Sequence, residues 1–340
     1  MVNTAPLTIK KSIETLDSTW VIAVIPALNE AQHIEQCVRS LMAGDPWLRE
    51  VPLIVADGGS TDDTIAIVKR LMSEFANLRL IHNSKRFQSA AMNLAVAQCT
   101  GNDTRYVVRC DAHSIFPAGF IRSVATSLAR TRAASVVIPM DARGETCFQK
   151  ANAWIVDTPL GSGGSAHRGG KQSGYVDHGH HAGFDLSVFR AIGGYDESFS
   201  HNEDAEYDER VVRAGERIFL DATIRKVYFP RQSVTALARQ YYSYGRGRAR
   251  TIRKHGKRPK IRQMLPVLAL LGSLGGLLVA PLAPIGLLLP TGYLLILAIA
   301  SVFMCLTKRS LCGLLSGVAS GIMHMSWAAG FIRQSLMGPR

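Results

Sequence analysis

The chain has 340 residues and a formal net charge of +13, and 47% of its residues are hydrophobic. This apolar share excludes an intrinsically disordered chain, and the length allows one large domain or two smaller ones. The six cysteines occur singly, without a CxxC pair, which argues against a disulfide framework or a zinc ribbon and suits a reducing compartment. Residues 1–19 carry several charges and no apolar core, so we expect an N-terminal extension and not a signal peptide.

Residues 20–140 alternate short apolar runs with helical patterns. Runs such as VIAVI suit strands buried on both faces, and the segments between them repeat apolar residues at three- and four-residue spacing. This alternation predicts an α/β fold in which a mostly parallel sheet is flanked by helices. Ligands of such sheets bind beyond the carboxyl ends of the strands, so we expect the loops there to carry the function.

Three of those loops are rich in polar residues. PALNE follows the first strand, DGGSTDD follows the second, and DAH follows the fourth. The first loop has no GxGxxG, which argues against a dinucleotide site of the usual kind. In DGGSTDD the glycines permit a tight turn close to a ligand, and the last two aspartates suit a helix start. Taken alone, this loop is equally compatible with a plain strand-to-helix turn.

Two later segments also carry reactive side chains. Residues 201–206 read HNEDAE, with three carboxylates in four positions, although acids at a helix start are also favoured by the helix dipole. Residues 157–184 are rich in glycine, serine and histidine, and a long loop in a compact domain is usually functional or disordered. Its HxHH motif lacks a matching second ligand pair for zinc, which leaves acceptor phosphate binding or packing as interpretations.

Nine of the 17 residues in segment 246–262 are Lys or Arg, and residues 263–307 contain no charged side chain. A basic run directly before an apolar block obeys the positive-inside rule and indicates membrane anchoring, not nucleic-acid binding. We expect two spans at about 264–282 and 285–306. Residues 311–332 are expected to form either a third span or a helix lying in the interface.

The motifs IPALNE, ADGGSTDDT, NSKRFQSAAMN, RCDAH, GGYDESF and HNEDAEYDERVVRAGERI together resemble glycosyltransferase family 2. These are inverting nucleotide-sugar enzymes with the Rossmann-like GT-A fold, and the succinoglycan-type glucosyltransferases among them are most similar. The resemblance extends from about Val21 to Arg250. It implies a GT-A domain over residues 20–245, a basic juxtamembrane linker over 246–262, and a region of two or three transmembrane helices over 263–335.

The resemblance also implies a donor site. RCDAH takes the place of the family's DxD motif, in which two side chains face a divalent metal that bridges the donor diphosphate. Asp111 then carries the first position, and His113 replaces the second aspartate. The carboxylate suits Mg²⁺, whereas the imidazole shifts the preference toward Mn²⁺, or His113 donates a hydrogen bond to phosphate instead. The other expected donor-binding residues are Pro26, Ala27, Leu28, Glu30, Asp57, Gly58 and Arg86, with Lys85 also near the diphosphate.

By the same resemblance, the catalytic base lies in the pair Glu203 and Asp204. Asp204 is expected to deprotonate an acceptor hydroxyl as it attacks the anomeric carbon, which inverts that centre. Processive family members carry QxxRW after the fold, whereas this chain has Ser243 and Tyr244 at the last two positions, so we expect addition of a single sugar. The residues expected on the acceptor side are His180, His181, Gln240 and Tyr244.

The sequence therefore predicts an inverting, metal-dependent hexosyltransferase of exopolysaccharide biosynthesis. It is expected to move glucose from UDP-glucose onto a sugar carried on polyprenyl diphosphate. The expected location is the cytoplasmic face of a bacterial inner membrane, with membrane lipids and other polysaccharide-assembly enzymes as partners and no nucleic acid. Two alternatives stay open: a polyprenyl-phosphate glycosyltransferase, and a non-catalytic membrane-bound binding or scaffold protein with the same fold.

Overall fold

The computed structural model describes residues 16–163 and 170–337, so most of the N-terminal extension and part of the acceptor-side loop lie outside the described residues. The strands are β1 (Val21–Ala27), β2 (Leu53–Asp57), β3 (Leu78–His82), β4 (Tyr106–Arg109), β5 (Ser135–Val137), β6 (Met140–Ala142), β7 (Gly174–Val176), β8 (His181–Asp185), β9 (Ile218–Leu220) and β10 (Lys226–Tyr228). The helices are α1 (Ile34–Met42), α2 (Thr64–Met72), α3 (Gln88–Cys99), α4 (Phe120–Thr131), α5 (Cys147–Val156), α6 (Pro159–Ser162), α7 (Leu186–Ala191), α8 (Glu203–Arg213), α9 (Val234–Lys254), α10 (Ile261–Val279), α11 (Leu288–Lys308) and α12 (Ser316–Leu336).

Within the described ranges, eight strands form one sheet in the order β3-β2-β1-β4-β8-β5-β9-β7. β1 pairs in parallel with β2 and β4, and β2 pairs in parallel with β3, so these four strands end at the same edge. β8 is antiparallel to both β4 and β5. Strands β6 and β10 form a separate parallel pair. The predicted mostly parallel sheet flanked by helices is confirmed.

The sheet is buried on both faces. In β1, Ala23 and Ile25 belong to one core cluster, whereas Ile22 and Val24 belong to the other. Successive side chains of a strand point to opposite faces, so a strand covered on both sides needs an unbroken apolar run. The polar residues are consequently concentrated in the loops beyond the strand ends.

The basic segment, expected to be a linker, is helical in its first half because α9 continues to Lys254. α9 lies against α12, and the two backbones approach closely at glycines. A Cβ atom at Gly245 would collide with the carbonyl oxygen of Trp327, and one at Gly330 would collide with that of Tyr242. The charged helix and the third apolar helix therefore form one tightly packed unit.

Three helical segments of the described chain are long and apolar enough to cross a membrane: Ile261–Val279, Pro284–Lys308 and Leu311–Leu336. Only 11% of the apolar stretch in each of the first two is buried within the protein, against 39% in the third. Most of each of the first two is therefore left uncovered by the rest of the described chain, and the two expected spans coincide with helices that could cross a membrane. The third is covered in part by α9 and α5.

The cysteine spacing gave one wrong prediction. Cys147 at the start of α5 and Cys312 between α11 and α12 form a disulfide across 165 residues of sequence. The spacing rule considers only cysteines that are close in sequence, whereas the fold places α5 beside the connection between the last two helices. This bridge joins α5 to the connection between the last two apolar helices.

Candidate active site

Side-chain hydrogen bonds join the loops that follow β1 and β2. The N–H of Asn29 donates to Ser60 Oγ at 2.9 Å, and Asn29 Oδ1 accepts from the N–H of Thr61 at 2.8 Å. Asn29 has a φ of 56°, in the left-handed region that asparagine tolerates better than most residues. The two loops therefore form one surface at the sheet edge, and it includes the expected donor-binding residues Pro26, Ala27, Leu28, Asp57 and Gly58.

Asp57 is buried and shapes its own loop. Its Oδ2 accepts from the N–H groups of Gly59 and Ser60 at 2.8 and 3.0 Å. The neighbouring Gly58 lies under the loop after β3, where a Cβ atom would come within 3.2 Å of the carbonyl oxygen of Arg86. Glycine at this position lets the second and third loops meet, and it brings Arg86 to the same edge.

Glu30 and His113 link the first loop to the fourth. His113 Nδ1 is 3.0 Å from Glu30 Oε1, and the other carboxylate oxygen is 3.4 Å from Nδ1 of His33. The side chain of His113 is 45% exposed, so its second ring nitrogen is accessible to a ligand. The structure thus pairs His113 with an expected donor-binding residue, while Asp111 has a different set of partners.

Asp111 is largely buried and surrounded by nitrogen atoms. Arg109 Nε is 3.3 Å from Oδ1, His180 Nε2 is 2.9 Å from Oδ2, and the ammonium of Lys226 forms a close ion pair with the same Oδ2. Burial by itself would raise the pKa of Asp111, but Lys226 and Arg109 hold it well below the ordinary range. Burial and the charge of Lys226 lower the pKa of His180 to about 4. Asp111 is therefore a carboxylate, and His180 is a neutral imidazole.

Asp204 lies on the other side of Arg109. Its Oδ1 accepts hydrogen bonds from Arg109 Nη1 at 2.6 Å and from the Tyr195 hydroxyl at 2.9 Å, and His181 Nδ1 is 3.1 Å away. Its Oδ2 is 3.9 Å from His180 Nδ1. Although burial would raise the pKa of Asp204, the charges of Arg109 and His181 hold it well below the ordinary range. The carboxylate is therefore ionised at neutral pH.

The pKa of the adjacent Glu203 is shifted in the opposite direction. Burial and the negative charge of Asp204 raise the pKa of Glu203 to about 7. Two neighbouring carboxyl groups whose pKa values are separated by their surroundings can take different roles in proton transfer. At neutral pH the pair therefore holds one permanent negative charge and one that depends on pH.

Asp204 belongs to a series of linked polar side chains that continues through His181 and Asp208 to His178. His181 Nε2 is 2.7 Å from Asp208 Oδ1, and His178 Nδ1 is 2.6 Å from Asp208 Oδ2. Burial would lower the pKa of His181, but the charges of Asp208 and Asp204 raise it to about 9. His181 is therefore an imidazolium between two carboxylates, and it holds the side chain of Asp204 in place.

The other two expected acceptor residues lie on α9. Gln240 Nε2 donates to the hydroxyl of Tyr244 at 3.1 Å. Both residues line a cavity of about 340 Å³ together with His201, Arg231 and Arg239. One of its lining residues, His201, belongs to the loop that precedes α8.

Four residues of the site were missed in the sequence: Arg109, Tyr195, Asp208 and Lys226. Arg109 and Lys226 are single cations inside short strands, and a cation that is buried with its strand requires a carboxylate partner. Asp208 follows Asp204 by four residues on α8, which places the two on the same helix face. These signals are present in the sequence, but spacing alone does not show which carboxylate pairs with Arg109 or with Lys226.

A family model described as Glycosyl transferase family 2 matches residues 22–193. The chain is also 41% identical over 331 residues to the Succinoglycan biosynthesis protein ExoA of Rhizobium meliloti (strain 1021), covering 96% of this chain and 98% of that protein. The chain belongs to glycosyltransferase family 2. This confirms the resemblance found in the motifs, and the protein is a glycosyltransferase.

More distant members and structures agree with this assignment. The family 2 chain is 24% identical over 243 residues to the Dolichyl N-acetyl-alpha-D-glucosaminyl phosphate 3-beta-D-2,3-diacetamido-2,3-dideoxy-beta-D-glucuronosyltransferase of Methanococcus voltae, covering 69% of this chain and 74% of that protein. The structure of Mannosyltransferase PcManGT from Pyrobaculum calidifontis in complex with GDP-Man and Mn²⁺ superposes with a TM-score of 0.64 at 17% identity, covering 97% of this chain and 92% of that one. This structural likeness supports the GT-A fold.

Proposed function

We propose that this family 2 enzyme transfers a hexose, glucose from UDP-glucose, onto a lipid-linked sugar acceptor during exopolysaccharide assembly. The observation that carries the proposal is that one buried side chain, Arg109, contacts both Asp111 and Asp204. Arg109 holds Asp111, which is proposed to face the donor diphosphate, at a fixed distance from Asp204, which is proposed to activate the acceptor. A scaffold protein would not require two ionised carboxylates held in this way.

The proposed reaction is a direct displacement. The acceptor oxygen forms a bond to the anomeric carbon, and the bond from that carbon to the diphosphate oxygen breaks with its electron pair leaving on the nucleoside diphosphate. Asp204 takes the acceptor proton at Oδ2, because Oδ1 is already occupied by Arg109 and Tyr195. General-base assistance of this kind contributes typically about 10²- to 10⁴-fold, and one displacement inverts the anomeric centre.

Asp111 supplies a carboxylate of the kind that binds a divalent metal in nucleotide sites, although its oxygens face Lys226, Arg109 and His180 in this structure. Mg²⁺ in such sites is held by one or two carboxylates together with substrate phosphates, not by a cage of protein ligands. Within the described residues no group of three or more His, Cys, Asp or Glu side chains could form such a cage. We propose Asp111 and His113 as the protein ligands. Bound Mn²⁺ or Mg²⁺ would stabilise negative charge on the leaving diphosphate as a Lewis acid.

Lys226 and Arg109 provide further positive charge at the same point. Lys226 is 3% exposed at its side chain and contacts Asp111, so its ammonium lies where the donor phosphates are proposed to bind. A fixed cation in a water-poor site stabilises developing anionic charge more strongly than one in water. The proposed donor site therefore combines a metal ligand with a built-in counter-charge.

The membrane part supports a lipid-linked acceptor. α10 and α11 expose large apolar side chains along their length, and the basic part of α9 precedes them. By the positive-inside rule, the GT-A domain is proposed to lie on the cytoplasmic side of an inner membrane, where nucleotide sugars are found. The relative named for succinoglycan biosynthesis supports an exopolysaccharide product, with other assembly enzymes as partners.

The test uses the full chain purified in detergent. It is incubated with UDP-glucose, other UDP-, GDP- and dTDP-sugars, Mn²⁺ or Mg²⁺, and a lipid extract of bacterial cytoplasmic membranes. We expect metal-dependent UDP release and sugar in the lipid fraction from one donor, both lost in Asp204→Asn while UDP binding is retained. Absence of transfer from every donor, with UDP still bound, would refute the proposed function.

A further inference from the structure

A second cavity lies at the junction of the GT-A domain and α12. Its volume is about 230 Å³, and its lining includes three arginines, Arg246 and Arg250 from α9 and Arg333 from α12. It shares His201 and Ser243 with the cavity that contains Gln240 and Tyr244. The two cavities are therefore parts of one recess along α9.

The recess is strongly positive. The adjoining cavity adds Arg231 and Arg239, and none of the described residues lining either cavity is Asp or Glu. Burial and the charges of Arg246 and Arg231 lower the pKa of His201. A concave surface lined by cations without counter-charges attracts anions, and guanidinium groups bind phosphate in a bidentate manner.

Arg246 differs from the two other arginines of its own cavity, whose side chains bind groups of the protein. Arg250 donates to the carbonyl oxygen and the hydroxyl of Ser198, and Arg333 donates to the hydroxyl of Tyr242 at 2.7 Å. Within the described part of the chain, Arg246 has no hydrogen-bond acceptor or ion-pair partner. It is exposed, and it lines the cavity together with the other two arginines.

Two other cations of the basic segment are used within the protein. Lys254 Nζ is 2.6 Å from Glu206 and 2.7 Å from Asp196. Arg253 donates to the carbonyl oxygen of Ser335 at 2.6 Å. Lys254 and Arg253 are therefore engaged within the protein.

The position of the recess favours a lipid phosphate ester. His201 is three residues before Asp204, so their Cα atoms are at most about 11 Å apart. Met337 also lines the cavity, and both it and Leu336 are exposed, by 51% and 80%. The recess thus includes a residue close in sequence to the proposed base and an exposed apolar residue at the end of α12.

We propose that the arginine recess binds the diphosphate of the lipid-linked acceptor and so directs the acceptor sugar toward Asp204. This deepens the proposed function and rests on it for the identity of the acceptor. The shared ligand chemistry is a diphosphate, which a lipid ester or free inorganic diphosphate could supply. The exposed apolar side chains of Leu336 and Met337, close in sequence to Arg333, favour the lipid ester as the natural ligand.

The test measures binding without any sugar donor, so it does not depend on turnover. The detergent-solubilised full chain is titrated by calorimetry with farnesyl diphosphate and, separately, with inorganic diphosphate. Arg246→Gln should weaken farnesyl diphosphate binding about ten- to hundred-fold, as expected for loss of a charged hydrogen bond. Arg246→Lys should recover part of that loss, and excess UDP should not displace the lipid.

Arg258→Gln is the matched control, because Arg258 is exposed in the same basic segment and does not line the recess. Equal losses in the two Gln variants would mean general electrostatic attraction and would overturn the proposal, as would no binding to the wild type. Weaker binding of inorganic diphosphate with the same Arg246 dependence would support the lipid ester, whereas equal binding of both ligands would overturn that assignment. If the wild type binds farnesyl diphosphate but transfers no sugar, the proposed function is refuted, whereas the proposal that the recess binds a lipid diphosphate stands.

Discussion

Arg109 Nη1 donates to Asp204 Oδ1 at 2.6 Å, inside a site where the arginine side chain is only 4% exposed. The same guanidinium contacts Asp111 through Nε at 3.3 Å. Arg109 is the last residue of β4, and Asp204 is in the first turn of α8, so one cation joins two elements that are far apart in sequence. Its positive charge offsets two carboxylates that would otherwise repel each other in a water-poor site.

Arg109→Met should destabilise the protein and abolish sugar transfer. Removing one partner of a buried ion pair leaves an uncompensated charge and costs about 3–5 kcal/mol of unfolding free energy. The measurement is the apparent Tm in detergent, together with UDP release. Arg105→Met is the control, since Arg105 is exposed near the start of the same strand and stacks on Trp20. Its effect should stay within about 1 kcal/mol, and a similar loss in both variants would contradict the role given to Arg109.

Glu203→Gln and Asp204→Asn should separate the two adjacent carboxyl groups. Asp204 is ionised throughout the neutral range, so the proposed base stays active in Glu203→Gln, and we expect a rate within about tenfold of wild type. Asp204→Asn should lose about 10²- to 10⁴-fold. The wild-type pH–rate profile should change near pH 7, where Glu203 titrates, and this change should vanish in Glu203→Gln. Inactivity of Glu203→Gln with full UDP binding would make Glu203 the base instead.

His181 should make stability depend on pH. Its folded pKa of about 9 exceeds the ordinary 6.5, so its stabilisation is fully present below pH 6.5 and is lost as the pH rises through 9. The difference corresponds to about 3 kcal/mol. The apparent Tm of wild type should therefore fall between pH 6.5 and 9, and His181→Gln should have a lower Tm with a flatter profile over that range. Parallel profiles for the two proteins would show that His181 is not the titrating group.

The mostly parallel sheet and the polar loops at its carboxyl edge could be predicted because they depend on local patterns. VIAVI and LIVAD are apolar throughout, and β1 and β2 are buried on both faces as those runs require. Asp57, Asp111 and Asp204 could be placed because each follows a strand or starts a helix within a recognisable motif. Glu30 and His113 were both expected at the donor site. The structure places them in contact with each other, and this contact does not involve Asp111.

The contacts between distant segments could not be predicted. Lys226 reaches Asp111 across 115 residues, and no spacing in the sequence relates the two. The same holds for Cys147 and Cys312, and for α9, whose basic residues were expected in a linker because charge near an apolar block is typical of a juxtamembrane segment. In the folded chain the glycines of α9 and α12 decide its position, since they allow helix packing that a charge pattern does not reveal.

Helix α9, on which α12 packs, also contacts the residues just before Glu203 and Asp204. A Cβ atom at Gly247 of α9 would come within 2.7 Å of the carbonyl oxygen of His201, and Asn202 Nδ2 donates to Thr251 Oγ1 of α9 at 2.8 Å. Asn202 is the residue before α8 and has a φ of 67°. A shift of α9 would therefore move the start of the helix that carries Glu203 and Asp204.

Gly330→Ala should test whether α12 belongs to the catalytic unit. The added methyl group would collide with the carbonyl oxygen of Tyr242, which forces the helices apart and costs about 1–3 kcal/mol or more. We expect a lower apparent Tm and a reduced rate of transfer. Gly275→Ala is the matched control because a Cβ atom there meets nothing within 4 Å, and alanine favours a helix by up to about 1 kcal/mol over glycine. If both variants keep wild-type Tm and activity, α12 does not hold α9 in place, and the recess between them could not position an acceptor.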